Sequence, residues 1–197
     1  MRAPKAKHEQ RWGDDDRLPV TYVSWFEACL YSRWLEHWRQ QDGSPLRSVL
    51  SEVPDSHRFA LPTEAQWEFM TRAGTITRFW SGDAAEDLMR VGWSDENSEG
   101  RVHAVAELEA SPWGLFDVHG DVWEWCRDWY SGELPGGVDP LAAESGRVRA
   151  YRGGSYWFSA RQCRSAIRIC SYGFGAGAES GFRLVLSAPE RASNLEL

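Results

Sequence analysis

"YRGGSYWFSARQCRSAIRICSYGFGAGAESGFRLV" spans residues 151–185 and combines two kinds of residue. Arginine, glycine and serine recur through it at intervals, and tyrosine, tryptophan, phenylalanine, isoleucine and further glycines fill the positions between them. Such a filling suits a catalytic pocket, a packed core, or a surface that contacts a partner. We call residues 151–185 the terminal segment and use the rest of the chain to decide among these three interpretations.

The composition is that of one soluble globular domain. Of the 197 residues, 42% are hydrophobic and 26% are charged, which is ordinary for a single core of this size. No apolar run approaches the length of a bilayer span, and the polar N-terminus lacks the apolar part of a secretion signal. We therefore expect no direct membrane insertion, unless a leader or anchor has been removed, and the compartment stays open. A net charge of -7 argues against nucleic acid as the partner, because phosphate binding needs clustered Lys and Arg.

Two residue types, cysteine and tryptophan, bear on function. The four cysteines are Cys29, Cys126, Cys163 and Cys170, and no two of them form a C-x-x-C pair. This spacing excludes a zinc ribbon or thioredoxin-like motif, and the even number permits disulfides without demanding them. The 12 tryptophans are the strongest anomaly, since a Trp-dense domain has an aromatic-rich core, an aromatic binding face, or both.

Two amphipathic helices are predicted in the first half of the chain. Ser24 and Glu27 form a capping box at the start of the first helix. The apolar residues that recur at helical spacing along one face of that helix are Phe26, Cys29, Leu30, Trp34 and Leu35. In the second helix Thr63 caps the start, Gln66 closes the box and Gly74 ends the helix.

Turn residues replace helical periodicity after residue 75, and short strands are predicted among them. These strands are placed at 101–106, 149–154 and 181–187. Two helices followed by a loop-rich half with short strands indicate an α+β fold. We predict one domain at 18–187, between a polar N-terminal tail at 1–17 and a C-terminal tail at 188–197.

Seven segments occur in an order that carries a family resemblance: PVTYVSWFEACLYSRWL, ALPTEAQWEFMTRAG, FWSGD, NSEGRVHAV, SPWGLFDVHGDVWEWCRDWY, YRGGSY and CRSAIR…GFRLV. Together they cover most of 18–186, and the chain resembles the formylglycine-generating-enzyme family, also called the sulfatase-modifying-factor family. The resemblance implies a C-type-lectin-like fold: a small antiparallel sheet with two helices and extensive irregular loops. Family members usually carry further strands at the N-terminus, so the chain either starts late or is a reduced variant.

This family includes copper-dependent oxidases that convert a sulfatase cysteine to formylglycine, and it also resembles the variable proteins of diversity-generating retroelements. The lectin-like surface of those variable proteins is mutated to bind changing ligands. Because one scaffold serves enzymes and binding proteins alike, function has to be argued from particular residues.

Copper chemistry would require two thiols close to Ser155, because thiolates are the ligands that copper(I) prefers. In the family pattern they are the third and eighth residues after that serine, which here are Phe158 and Cys163. Cys170 follows seven residues later and matches no ligand position. No metal-binding spacing joins His57, His103 and His119. We therefore expect no copper and no catalysis, with Cys163 as a buried structural residue.

A calcium site is predicted in "DVHGDVWE". By resemblance, the side chains of Asp117 and Glu124 and the carbonyls of Gly120 and Val122 match a structural calcium site of the family. Carboxylate and carbonyl oxygens are the ligands that calcium prefers. The alternative is that Asp117 and Glu124 pair with arginines or cap backbone N–H groups.

The resemblance divides the terminal segment into frame and filler residues. The frame comprises Arg152, Gly153, Gly154, Ser155, Arg161, Cys163, Arg164, Ser165, Ala166, Arg168, Gly181, Phe182 and Arg183. The filler residues predicted to bind a ligand are Tyr156, Trp157, Phe158, Ser159, Ile167, Ile169, Ser171, Tyr172 and Phe174. Aromatic residues combined with Ser and Gly are typical of antibody paratopes. Apart from Trp157, every filler residue could also arise by randomising the adenines of an Asn codon, as retroelements do.

The sequence favours a non-catalytic, retroelement-diversified domain that binds a protein or cell-surface ligand, with the oligomeric state undetermined. One alternative interpretation of the filler is that Phe158, Ile167 and Ile169 pack inward, since alternating residues of a strand face the core. Two other functions stay open: a metal-dependent oxidase of the same family, and an accessory interaction module of a larger assembly.

Overall fold

A computed structural model describes residues 15–141 and 145–188 of the chain. The predicted tails at 1–17 and 188–197 fall almost wholly outside these residues. The helices are Trp25–Gln40 (α1), Pro45–Val49 (α2), Glu64–Arg72 (α3) and Ala85–Met89 (α4). The strands are Arg58–Ala60 (β1), Gly92–Trp93 (β2), His119–Gly120 (β3), Trp123–Trp129 (β4), Arg149–Arg152 (β5), Ile169–Ser171 (β6), Ser180–Gly181 (β7) and Val185–Ser187 (β8). The predicted α+β class is confirmed, with α1 and α3 as the two predicted helices and α2 and α4 as additional single turns.

Three small sheets organise these strands. The central sheet has the order β6-β5-β4-β7, in which β5 pairs antiparallel with both β4 and β6, and β7 pairs parallel with β4. A second, antiparallel ladder joins β1 to β8 with Phe59 opposite Leu186. A short parallel pair joins β2 to β3. The β1–β8 ladder ties the last strand of the domain to the segment between the helices. In the described ranges, no helix is both long and apolar enough to cross a bilayer.

Both predicted capping boxes are confirmed. The Ser24 hydroxyl accepts the backbone N–H of Glu27 at 3.2 Å, and the Glu27 carboxylate accepts the N–H of Ser24 at 2.8 Å. Thr63 and Gln66 make the same reciprocal pair, at 3.1 Å in each direction. These bonds satisfy N–H groups that the first helical turn leaves without partners. The positive φ of Gly74, +87°, follows the end of α3, as predicted.

The apolar face predicted for α1 is only partly buried: Cys29, Trp34 and Leu35 are partly buried, and Cys29 packs against the central core. Phe26 and Leu30 are 41% and 57% exposed. The buried residues of the helix are instead Ala28, Ser32, Glu36 and Arg39. Arg39 donates to Glu36 at 3.0 Å and to the carbonyl of His57 at 2.8 Å, so polar groups are satisfied on the inward face. The inward face of α1 thus carries hydrogen-bonded polar groups, and two large apolar side chains face outward.

The strand predicted at 101–106 is also wrong. The backbone N–H of His103 donates to the Asp121 carboxylate at 3.0 Å, and that of Val105 donates to the Arg17 carbonyl at 2.9 Å. These loop partners use backbone groups that a strand ladder would need. The strand predicted at 149–154 is confirmed as β5, and that predicted at 181–187 contains β8.

Tryptophans form much of the core around the central sheet. Trp123 and Trp125 of β4 are buried in one cluster with Tyr151 of β5, and the rings of Trp125 and Tyr151 stack with centroids 3.6 Å apart. Trp125 donates its indole N–H to the Val23 carbonyl at 2.9 Å. Trp67 is fully buried in a neighbouring cluster. Part of the unusual tryptophan content therefore supplies packing area. The Trp125 indole N–H is satisfied, whereas that of Trp123 is buried with no hydrogen-bond partner among the described residues.

Candidate ligand-binding surface

Frame arginines of the terminal segment pair with buried carboxylates. Arg168 donates to Glu64 from Nε at 2.5 Å and from Nη2 at 2.8 Å, and the side chain of Glu64 is fully buried. Arg183 donates in the same two-pronged way to Glu124, at 2.5 Å from both nitrogens. Such bidentate pairs fix both distance and orientation. They attach the terminal segment to α3 and to β4.

Arg152 makes the third connection. Its fully buried guanidinium donates to the Glu68 carboxylate, to the Ser165 carbonyl at 3.3 Å and to the Ile167 carbonyl at 2.5 Å. Burial alone would raise the pKa of Glu68, but Arg152 and Arg72 outweigh it and hold that pKa below its ordinary value. The buried Arg152 guanidinium thus holds two carbonyls of the terminal segment in place.

The paired glycines after Arg152 permit a close turn. Gly153 and Gly154 have φ of +100° and +83°, a region that L side chains rarely adopt. A Cβ on Gly154 would lie 2.7 Å from the Cys163 sulfur. The double glycine therefore brings the backbone directly against Cys163.

The two positions that match oxidase ligands lie inside the fold. Phe158 packs edge-on against Trp123, with ring centroids 5.6 Å apart, and contributes to the central core. Cys163 is fully buried, and its thiol lies 3.7 Å from the Ser159 carbonyl. Burial raises the pKa of the Cys163 thiol to about 12, so the thiolate that binds copper is disfavoured. These positions offer a phenyl ring and a protonated thiol.

The histidines that match family positions make hydrogen bonds and ring contacts. His119 lies 2.8 Å from the Cys163 carbonyl through Nδ1 and accepts the Trp80 N–H at 3.1 Å through Nε2, which assigns a neutral ring protonated at Nδ1. Burial lowers its pKa to about 4. His103 stacks on Trp93 with centroids 3.6 Å apart. Within the described ranges no three His, Cys, Asp or Glu side chains are grouped as a metal site.

The predicted calcium ligands lie in and around β3 and β4. Asp117 precedes β3 with φ of +55°, Gly120 belongs to β3, and Val122 adjoins β4. The Asp117 Oδ2 accepts the Ala106 N–H at 2.8 Å, whereas its Oδ1 is buried and has no hydrogen-bond partner among the described residues. Burial raises the pKa of this carboxyl. Within the described ranges, Asp117 therefore has one carboxylate oxygen without a hydrogen-bond partner.

The fourth predicted ligand, Glu124, is already engaged. Its two oxygens accept both nitrogens of Arg183, and Oε2 also accepts the Trp67 indole N–H at 2.6 Å. As folded, the four residues do not fit a calcium ion, because the guanidinium occupies the carboxylate that the ion would need. Glu124 pairs with an arginine, as the alternative to a calcium site predicted. The calcium site itself stays a prediction.

The predicted ligand-binding residues divide by exposure. Trp157, Tyr172 and Phe174 are 66%, 66% and 80% exposed. Tyr156 is 4% exposed and belongs to a buried cluster. The partly buried residues are Phe158, Ser159, Ile167, Ile169 and Ser171. Of these, three pack against the central core, as the inward-packing alternative predicted: Phe158, Ile167 and Ile169. The accessible aromatic surface is therefore smaller than the predicted set.

Residues 172–174, which we call the aromatic turn, lie against the start of α1. The Gly173 carbonyl accepts the Trp25 N–H at 3.1 Å, and the Phe174 ring lies on the Phe26 ring with centroids 5.0 Å apart. Phe26 and the exposed Leu30 thus extend an apolar surface that begins in the terminal segment. Helical spacing placed both residues on one face of α1 and did not predict that they belong to this surface. Their exposure in the structure identifies them.

Trp157 lies in a different environment. A Cβ on Gly100 would be 3.5 Å from its ring, and its ring meets that of Tyr156 edge-on at 6.2 Å. Neither of these neighbours of Trp157 belongs to the aromatic turn. The exposed aromatics of the terminal segment therefore lie in two places: Trp157 beside Gly100 and Tyr156, and Tyr172 and Phe174 in the aromatic turn.

This fold and surface define a C-type-lectin-like α+β domain with no paired thiols at the oxidase position. The family model for the sulfatase-modifying factor enzyme 1-like domain matches residues 2–188, and the chain belongs to this family.

Three similar proteins illustrate its range. Formylglycine-generating enzymes of Streptomyces coelicolor and Thermomonospora curvata are 31% and 29% identical, over 84% and 86% of this chain and 51% and 56% of theirs. The chain thus spans about half the length of these curated relatives. The solved structure of Treponema denticola variable protein 1 superposes with a TM-score of 0.73 and 28% identity, over 85% of this chain and 70% of that one. Similarity therefore extends to enzymes and to a variable protein alike.

Proposed function

We propose that this chain is a non-catalytic ligand-binding domain, the variable protein of a diversity-generating retroelement, that recognises a protein or cell-surface ligand. The observation that carries the proposal is the exposure of Trp157, Tyr172 and Phe174 at filler positions, on a segment in which most frame residues are buried or partly buried. Variation at these three positions changes a surface without changing the packing below it.

The chemistry of the exposed residues supports recognition of a macromolecule. Large apolar side chains grouped on a soluble protein mark interaction sites when they are contiguous, and Phe174 continues into Phe26. Aromatic rings carry most of the binding energy where they are fully desolvated at an interface. The mechanism is recognition by rigid aromatic anchors, with glycines and serines adjusting the fit.

Two further observations favour a binding protein over an oxidase. Phe158 occupies the position of the first copper ligand, and the buried thiol of Cys163 has no second cysteine at that position. The similarity to Treponema denticola variable protein 1 adds a solved relative named as a variable protein.

The first experiment is to sequence the locus around the gene. We expect a reverse transcriptase gene and a near-duplicate of the DNA encoding residues 151–185 that differs from it at adenines. The matching protein test is to assay oxygen consumption with copper and a thiol peptide, where we expect no activity. A locus without either element, together with copper-dependent oxygen consumption, would overturn the proposal in favour of an oxidase.

The accessory-module alternative makes a distinct prediction, since such a chain requires a partner to complete its fold. We expect the isolated chain to unfold cooperatively and reversibly without one. Aggregation that is relieved only by a co-expressed partner would favour the accessory module.

A further inference from the structure

An open pocket of about 440 Å³ lies between the loop that follows α3 and the short 3-10 helix Ala160–Gln162. Phe79 and Ala160, both buried in one core cluster, contribute an apolar floor. Arg78, Arg161 and Arg164 line it together with a single carboxylate, that of Asp83. We call it the arginine pocket.

The two walls of the arginine pocket are held at a fixed separation. Ser165 donates to the Arg78 carbonyl from its backbone N–H at 2.8 Å and from its hydroxyl at 3.1 Å. The Arg164 Nε donates to the Arg161 carbonyl at 2.7 Å, which leaves its two terminal nitrogens for other acceptors. The pocket is therefore part of the folded scaffold.

The charge of the pocket is unbalanced. Among the described residues, no carboxylate forms an ion pair with Arg78, Arg161 or Arg164. By contrast, Arg152 pairs with Glu64 and Glu68, and Arg168 and Arg183 each pair with one carboxylate. Asp83 uses one oxygen to accept the backbone N–H of Arg78 at 2.9 Å. Three guanidinium groups thus face one carboxylate in a chain whose formal net charge is -7.

We propose that the arginine pocket binds an oxyanion group, a carboxylate or a phosphate, of a ligand that also places apolar atoms on the Phe79 floor. Planar guanidinium groups match both oxyanions through paired hydrogen bonds, and convergent arginines raise the local concentration of anions. This site does not include the exposed aromatic residues Trp157, Tyr172 and Phe174. Its arginines are the frame residues Arg161 and Arg164 and Arg78 of the loop after α3.

The test is isothermal titration of the whole chain at low ionic strength, with inorganic phosphate and a hexaglutamate peptide as probes. The variant R161Q/R164Q removes two positive charges from the pocket. Its matched control, R17Q/R101Q, removes two from exposed arginines that lie near Asp15 and Glu99, at 2.9 and 3.6 Å. We expect saturable binding of one probe per chain, weakened at least about tenfold in the pocket variant and unchanged in the control.

Every outcome of this titration either supports or overturns the proposed oxyanion site. Binding of phosphate alone assigns a phosphate ligand, binding of the peptide alone assigns a carboxylate ligand, and both outcomes support the pocket. Absence of saturable binding to either probe, or equal loss in R17Q/R101Q, overturns it. If R161Q/R164Q loses cooperative unfolding, R78Q replaces it, since the Arg78 side chain makes no hydrogen bond to the described residues.

Discussion

The guanidinium of Arg183 donates hydrogen bonds to both carboxylate oxygens of Glu124, from Nε and from Nη2, each at 2.5 Å. Glu124 belongs to the central strand β4, and Arg183 lies between β7 and β8, so this pair joins the end of the domain to its middle. The R183Q variant leaves the buried Glu124 charge without its partner. We expect a loss of about 3 to 5 kcal/mol in the free energy of unfolding, measured by urea denaturation. R101Q, at an exposed pair, should change it by less than about 1 kcal/mol. Equal losses in both variants would contradict a structural role for the pair.

Calcium distinguishes two expectations for the loop before β4. The family resemblance predicts a bound ion, whereas the fold engages both oxygens of Glu124. From the fold we expect the same unfolding temperature with excess calcium or with a chelator, because a ligand stabilises only in proportion to its binding of the native state. A calcium-dependent rise that disappears in D117N would instead establish the site and show that Arg183 yields to the ion.

Protonation of His119 should destabilise the fold in acid. Its neutral ring donates from Nδ1 and accepts the Trp80 N–H at Nε2, so a second proton places two donors face to face. The pKa is about 4 in the folded chain and 6.5 ordinarily, so the unfolded chain binds the proton first. This contribution to stability is therefore complete above pH 6.5 and is lost as the pH falls towards 4. We expect urea denaturation of H119N to lack this loss, and H37N, at an exposed histidine, to retain it.

Asp121 should have the opposite pH dependence. Burial and the charges of Asp117, Glu107 and Glu124 raise its pKa to about 7, although the His103 N–H opposes the shift. The folded chain then keeps a proton that the unfolded chain releases near pH 3.8, so stability falls as the pH rises from about 4 to 7.

The neutral isostere D121N removes this penalty. Relative to the original chain, we expect it to gain on the order of 1 to 2 kcal/mol in unfolding free energy between pH 5.5 and pH 8. A gain of the same size at both pH values would show that Asp121 is ionised throughout. Because the slopes from His119 and Asp121 oppose each other, the original chain should vary less with pH than either variant.

Local signals predicted the parts of the fold that depend on near neighbours. The capping boxes at Ser24 and Thr63 involve residues three positions apart, and both are present. The frame of the terminal segment was also identified by pattern, although its reason is tertiary: arginines at 152, 168 and 183 reach carboxylates on α3 and β4. No sequence spacing predicts which carboxylate each arginine meets.

The surface of α1 could not be predicted from periodicity. A helix normally buries its apolar face. Here Glu36 and Arg39 form a satisfied polar group inside, and Phe26 turns outward to meet Phe174, a residue 148 positions away by number. The candidate site thus depends on which face of α1 hydrogen-bonds to the His57 carbonyl, which directly precedes β1.

Adjacent residues of the terminal segment should separate stability from binding. Phe158 packs on Trp123 in the core, whereas the Trp157 ring is mostly exposed. We expect F158A to lose about 3 kcal/mol in unfolding free energy, near the value for truncating a packed aromatic ring, and W157A to change by less than about 0.5 kcal/mol. Thermal and urea unfolding of the two variants measure the difference. Comparable losses would mean that Trp157 is a structural residue, and variation at that position would then alter the fold as well as the surface.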